Sequence, residues 1–151
     1  VSQTEGSRRR VRLDLGYRGT DFHGWARQPE ARTVQGLIEA GLETICGTPV
    51  RTVVAGRTDA GVHARRQVVD LDGTDAMGAR LVGRSARTAG DALAAWLRGA
   101  LRHLGADDMV IHAASEVDAA FDARFAAVSR RYTYRIADPH SFLDPLAAGH
   151  T

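Results

Sequence analysis

Residues 10–16 alternate, with Val11, Leu13 and Leu15 on one side and Arg12 and Asp14 on the other, the period-two pattern of a strand with one buried face. Residues 17–32 then form a long polar loop. From Val34, apolar side chains recur at Leu37, Ile38, Leu42 and Ile45, a helical stripe that Thr33 can cap and Gly47 can end. Residues 50–55 are a short β-branched run, residues 56–65 a glycine-containing loop, and residues 67–72 a further strand. Residues 73–88, rich in Gly, Ala, Arg and Ser, lack a periodic pattern and are expected to be a surface loop. A second stripe at Leu93, Trp96, Leu97, Leu101 and Leu104 predicts another helix, with Asp91 as its cap and Gly105 as its end. Residues 109–113 follow as a strand, 118–127 as irregular or briefly helical chain, and 128–137 as a last strand.

The order is βαββαβ plus one further β. It suits an α+β, ferredoxin-like layer, shared with the RNA-recognition motif, in which two helices cover one face of an antiparallel sheet. At 151 residues, 44% hydrophobic, the chain is the size of one domain. Residues 1–9 read as a basic tail, 10–137 as the domain, and 138–151 as the start of a connection. No stretch reaches the roughly 18 apolar residues that span a bilayer, and the first dozen residues are polar, so a soluble cytoplasmic protein is expected.

Formal charge is only +2, yet all 20 basic residues are arginine. The lack of lysine excludes Schiff-base chemistry, lysine-anchored pyridoxal phosphate and a Walker phosphate loop. Arginine grips phosphate oxygens in pairs and stacks on bases, which suits RNA. Three clusters, at Arg8, Arg9, Arg10 and Arg12, at Arg65 and Arg66, and at Arg130, Arg131 and Arg135, are expected phosphate patches. Cys46 is the sole cysteine and no two of the six histidines stand four apart, so no metal site is expected.

Residues 56–63 read Gly-Arg-Thr-Asp-Ala-Gly-Val-His between two strands, where a sheet scaffold presents side chains to a ligand. Asp59 is the candidate nucleophile there, and Arg57 could keep it ionised or hold a phosphate. Taken alone, Asp-Ala-Gly is ordinary turn chemistry, and the turn is the favoured reading. Two further segments change the weighting. Upstream stand Tyr17, Gly19, Gly24-Trp25 and Arg27-Gln28, and downstream Phe121-Asp122-Ala123-Arg124-Phe125 followed by Arg130-Arg131-Tyr132-Thr133-Tyr134.

Together with the octet and Gln67-Val68-Val69, these three ordered motifs resemble those of TruA-type tRNA pseudouridine synthases, which isomerise uridine in tRNA without metal or organic cofactor. The resemblance implies that Asp59 is the catalytic aspartate and that Tyr132 packs against the target uracil. It also implies that Arg57 helps insert the flipped base, with Arg131 and Arg124 as further substrate contacts. Trp25, Gln28 and His63 are possible loop contacts, although an anchoring role for Trp25 and a loop-ordering hydrogen bond for His63 are the plainer readings. Tyr134 is expected in the core. The implied partners are tRNA, at the anticodon stem-loop, and a second copy in a homodimer.

Two departures stand out. Residues 97–105 lack the family's Asn-Ala-Leu-Pro-like stretch, and family members are much longer, with a second half that supplies a similar sheet and another basic residue near the aspartate. Residues 1–151 are therefore expected to be an incomplete, inactive fragment. A non-catalytic RNA-binding module is the main rival, and Asp59 with Tyr132 tells against it. An aspartate-nucleophile hydrolase would want a second acid or a metal set that the sequence does not offer.

Overall fold

In a computed structural model the chain is described over residues 9–73 and 88–136. Residues 1–8 of the expected basic tail, the loop at residues 74–87 and the expected connection at residues 138–151 lie outside the described residues, while Arg9 opens the first strand. Strand β1 (Arg9–Tyr17) leads through a 3₁₀ turn (Gly19–Asp21) and a loop to helix α1 (Val34–Cys46), then to strands β2 (Thr52–Val54) and β3 (Ala64–Gly73). Helix α2 (Ala89–His103) and strand β4 (Met109–Val117) follow. The sheet order is β2-β3-β1-β4 and every pairing is antiparallel. This is the expected α+β, ferredoxin-like arrangement.

The alternation in β1 sets the layers. Val11, Leu13 and Leu15 join Val69, Leu71 and Ile111 in a core completed by Val34, Ile38, Leu42 and Ile45 of α1 and Leu93, Leu97 and Leu101 of α2. Thr33 caps α1 by accepting from the Gly36 N–H at 3.2 Å, and Gly47 ends it at φ 73°. Capping of α2 differs from the expectation: Thr88 accepts from the Asp91 N–H at 3.2 Å, so Asp91 sits inside the first turn, where its charge favours the helix N-terminus. Trp96 and Leu104 are exposed, at the margin of the α2 stripe.

The opposite sheet face is charged. Arg10 pairs there with Asp72 (2.7 Å) and Asp70 (3.5 Å) and Arg12 with Asp14 (2.8 Å), while Arg9 pairs with Glu116 (3.4 Å) at the end of the strand on the Val11 side. The sequence predicts that these arginines face phosphate. The fold instead puts each beside a carboxylate, while Arg8 lies outside the described residues.

Residues 118–127 are irregular, as expected, and dock on that face. Asp70 accepts from the Ala123 N–H at 2.6 Å, Arg10 donates to the Phe121 carbonyl, and the Arg12 guanidinium lies 5.9 Å from the centre of the Phe121 ring. Burial pushes the Asp70 carboxyl up, against the opposing pull of the Ala123 N–H and Arg10.

The further strand does not form: residues 128–136 make no ladder. Val128, Tyr134 and Ile136 are 84–100% exposed, so the alternating apolar face has nothing to bury against and water satisfies the backbone as well as a partner strand would. Tyr134, expected in the core, is outside it for the same reason.

Candidate active site

The loop at residues 55–63 joins β2 to β3 and carries Asp59 at its tip, exposed to solvent. Its backbone is tied down on several sides. Trp25 N–H donates to the Thr58 carbonyl at 2.9 Å, Val62 N–H to the Asp59 carbonyl at 3.1 Å, and Gly61 N–H to the Phe22 carbonyl at 3.3 Å. Gln67, at the start of the buried part of β3, donates to the Gly56 carbonyl at 2.8 Å. Thus the first motif forms a bed on which the second lies.

Close approach explains the glycine at position 19. A Cβ there would fall 1.9 Å from the Val62 carbonyl oxygen, so any side chain would push the two loops apart. The Gly19 N–H donates to His63 Nδ1 at 2.9 Å, which makes Nδ1 the acceptor and leaves the ring proton on Nε2. Trp25 is 1% exposed and its ring lies 6.3 Å from that of Tyr17. Gln28 donates within its own loop, to the His23 carbonyl at 3.0 Å.

The loop bed is latched at its far end. Arg32 donates twice to Asp108, at 2.9 and 2.8 Å, and lies over the Phe22 ring at 4.1 Å. Hydrogen bonding to Arg32 holds the Asp108 carboxyl below the usual carboxylate range, and the same contact raises the Arg32 pKa.

The third motif reaches the octet through Arg130, which the sequence offers only as part of a phosphate patch. Its guanidinium donates to the carbonyls of Ala55 and Arg124. A Cβ on Gly56 would lie 3.3 Å from Arg130 Nε and 3.9 Å from the Tyr132 hydroxyl, so the absent side chain leaves room for both. Tyr132 is 62% exposed, which leaves its ring open to a ligand. Arg57, Arg124 and Arg131 are also exposed, and Arg124 lies 5.2 Å from the Phe125 ring.

The chemistry on offer is a carboxylate, exposed guanidinium groups and an open phenol ring. Among the described residues no three His, Cys, Asp or Glu side chains converge to hold a metal, and no helix is long and apolar enough to cross a membrane. A surface groove of about 890 Å³ runs beside Tyr17, Arg18, Arg65 and His112 but does not include Asp59. Its charges nearly cancel, with Arg18, Arg32 and Arg65 facing Asp21, Asp107 and Asp108.

No protein-family model matches the chain. Curated relatives do. It is 47% identical over 149 residues to tRNA pseudouridine synthase A of Leifsonia xyli, a match covering 94% of this chain and 51% of that protein. Proteins of the same name from Bifidobacterium longum and Streptomyces griseus are 44% and 46% identical, over 93% of this chain and 47% and 46% of theirs. The chain spans about half the length of the curated relatives it matches. By its sequence, this chain belongs with the tRNA pseudouridine synthase A family, as a segment of about half the length of those relatives.

Proposed function

We propose that the complete protein is a tRNA pseudouridine synthase in which Asp59 is the nucleophile, acting in the cytoplasm on uridine of the anticodon stem-loop, as a homodimer and without a cofactor. The observation that carries this reading is the convergence of three sequence-distant motifs on one loop, with Asp59 exposed at its tip, in a chain related to synthases over nearly its whole length.

The isomerisation breaks the bond between ribose C1′ and uracil N1 and forms one between C1′ and C5. The C5 proton is lost and N1 gains one, so no oxidant, reductant or water is consumed. Asp59 serves it in one of two ways: its oxygen attacks C1′ and is later displaced by C5, or it removes the C2′ proton to give a glycal that C5 re-enters. Either route needs the uridine out of the stack. Unstacking costs a few kcal/mol, and an aromatic platform such as Tyr132 returns about 1–3 kcal/mol. Arg57, two residues before the nucleophile, helps insert the flipped base and contacts the RNA, with Arg131 and Arg124 as further contacts.

The test is base-resolved pseudouridine mapping of unmodified tRNA incubated with the full-length protein and with its Asp59→Asn variant. Wild type should modify tRNA and the variant should not, while retaining tRNA affinity within a few-fold. Turnover by Asp59→Asn above background would remove the nucleophile assignment.

A further inference from the structure

We propose that Tyr17 is a positioning residue for this reaction, holding the Asp59 loop in its working shape through Thr58; the proposal rests on the nucleophile reading of Asp59. Tyr17 ends β1 just after a register shift between Leu15 and Tyr17, and its side chain is buried. The ring meets Phe22 edge-on, with centroids 6.2 Å apart at 72°, and tilts against Trp25. The phenol oxygen emerges beneath the octet.

Three side chains meet there. Gln67 Nε2 lies 3.3 Å from the phenol oxygen, and an amide nitrogen can only donate, so Tyr17 accepts from it. The phenol oxygen also lies 2.7 Å from Thr58 Oγ1, a bond that either the phenolic proton or the Thr58 hydroxyl can supply. Burial pushes the Tyr17 pKa up, with opposing contributions from Thr58 and Gln67, so the phenol keeps that proton at neutral pH.

Thr58 immediately precedes Asp59 and is held twice, by Tyr17 through its hydroxyl and by Trp25 through its carbonyl. Gln67 adds the Gly56 carbonyl, and Val62 the carbonyl of Asp59 itself. Every tether falls on the backbone or on a neighbour, and the carboxylate projects from a fixed base. Placement of a reacting group to within about 1 Å is worth on the order of 100-fold in rate. Among these tethers the Tyr17 hydroxyl is the one that a single-atom deletion removes while the ring packing stays.

The experiment uses the full-length protein with Tyr17→Phe, Thr58→Val, Thr58→Ser and the Tyr17→Phe/Thr58→Val double variant, beside Asp59→Asn. Single-turnover rates at saturating tRNA, tRNA dissociation constants and thermal melts are measured for each. Tyr17→Phe and Thr58→Val should each slow the saturated rate about 10- to 100-fold, leave the dissociation constant within a few-fold, and keep a cooperative melt. Thr58→Ser, which retains the hydroxyl, should recover most of the rate, and the double variant should be no slower than the worse single one.

Wild-type rates for Tyr17→Phe, or single losses that multiply in the double variant, overturn the proposal. Loss of tRNA affinity in step with rate does so too, because it marks a general structural effect. If Tyr17→Phe does not fold, Thr58→Val against Thr58→Ser decides the matter on the loop side. An inactive Asp59→Asn with a fully active Tyr17→Phe removes the Tyr17 role alone, whereas an active Asp59→Asn removes the nucleophile reading.

Discussion

The Arg130 guanidinium donates to the carbonyl of Ala55, joining the segment that carries Tyr132 to the first residue of the loop that carries Asp59. Neither residue is near the other in sequence, and the approach is made over a glycine. The adjacent Gly56 has no side chain to obstruct Arg130 or the Tyr132 hydroxyl.

Gly56→Ala should therefore disturb the approach without unfolding the protein, since the new methyl would lie 3.3 Å from Arg130 Nε. We expect Gly56→Ala and Arg130→Ala each to reduce the single-turnover rate roughly tenfold, with little change in tRNA affinity. A double variant slowed by the product of both factors would show that the two act independently.

Tyr132 is expected to work through its ring face. Tyr132→Ala should slow single-turnover catalysis by a factor corresponding to about 1–3 kcal/mol, and Tyr132→Phe by much less. Equal losses would assign the work to the hydroxyl.

The Arg32–Asp108 latch predicts a pH signature. The carboxyl pKa is depressed in the folded chain, so its contribution is present above the unfolded carboxylate value and is lost as pH falls through the folded one. Arg32 is partly exposed and solvent weakens the pair, so Asp108→Asn should cost about 1–2 kcal/mol at pH 7. The gap should close as pH drops below about 4. Urea melts at pH 7, 5 and 3 measure it, and a constant gap would rule out an ionic origin.

RNA affinity should depend on the arginines that the fold leaves exposed. Replacing Arg65 and Arg66 by alanine should weaken binding and lower the slope of log affinity against log salt by roughly 0.7–0.9 for each phosphate they neutralise. The equivalent change at Arg10, which is committed to Asp70 and Asp72, should instead lower the melting temperature and leave the salt slope unchanged.

The contrast between Arg65 and Arg10 shows where the sequence is readable. Local periodicity locates both helices and the four strands, because burial of Leu13, Ile38 or Leu97 leaves a repeat within a dozen residues. Partners across strands leave no such trace: Arg10 looks like Arg66 until Asp70 and Asp72 are seen beside it. The strand expected at residues 128–137 has the right alternation, but a strand also requires a neighbour, and alternation is silent about that. The octet and its flanking motifs point to Asp59, whereas the Tyr17–Thr58–Gln67 contacts and the role of Arg130 emerge only when the loops are brought together.

Strand order has a consequence for how the chain is made. β1 lies between β3 and β4, and Arg10 faces Asp72 on one side and Val117 on the other. A ribosome adding about 5–20 residues per second leaves this strand without its second neighbour for on the order of ten seconds. During that interval a bare strand presenting Val11, Leu13 and Leu15 would invite pairing with other nascent chains. Arg9 and Arg10, whose carboxylate partners Glu116, Asp70 and Asp72 are made later, leave the waiting strand with unpaired like charge, which disfavours such encounters.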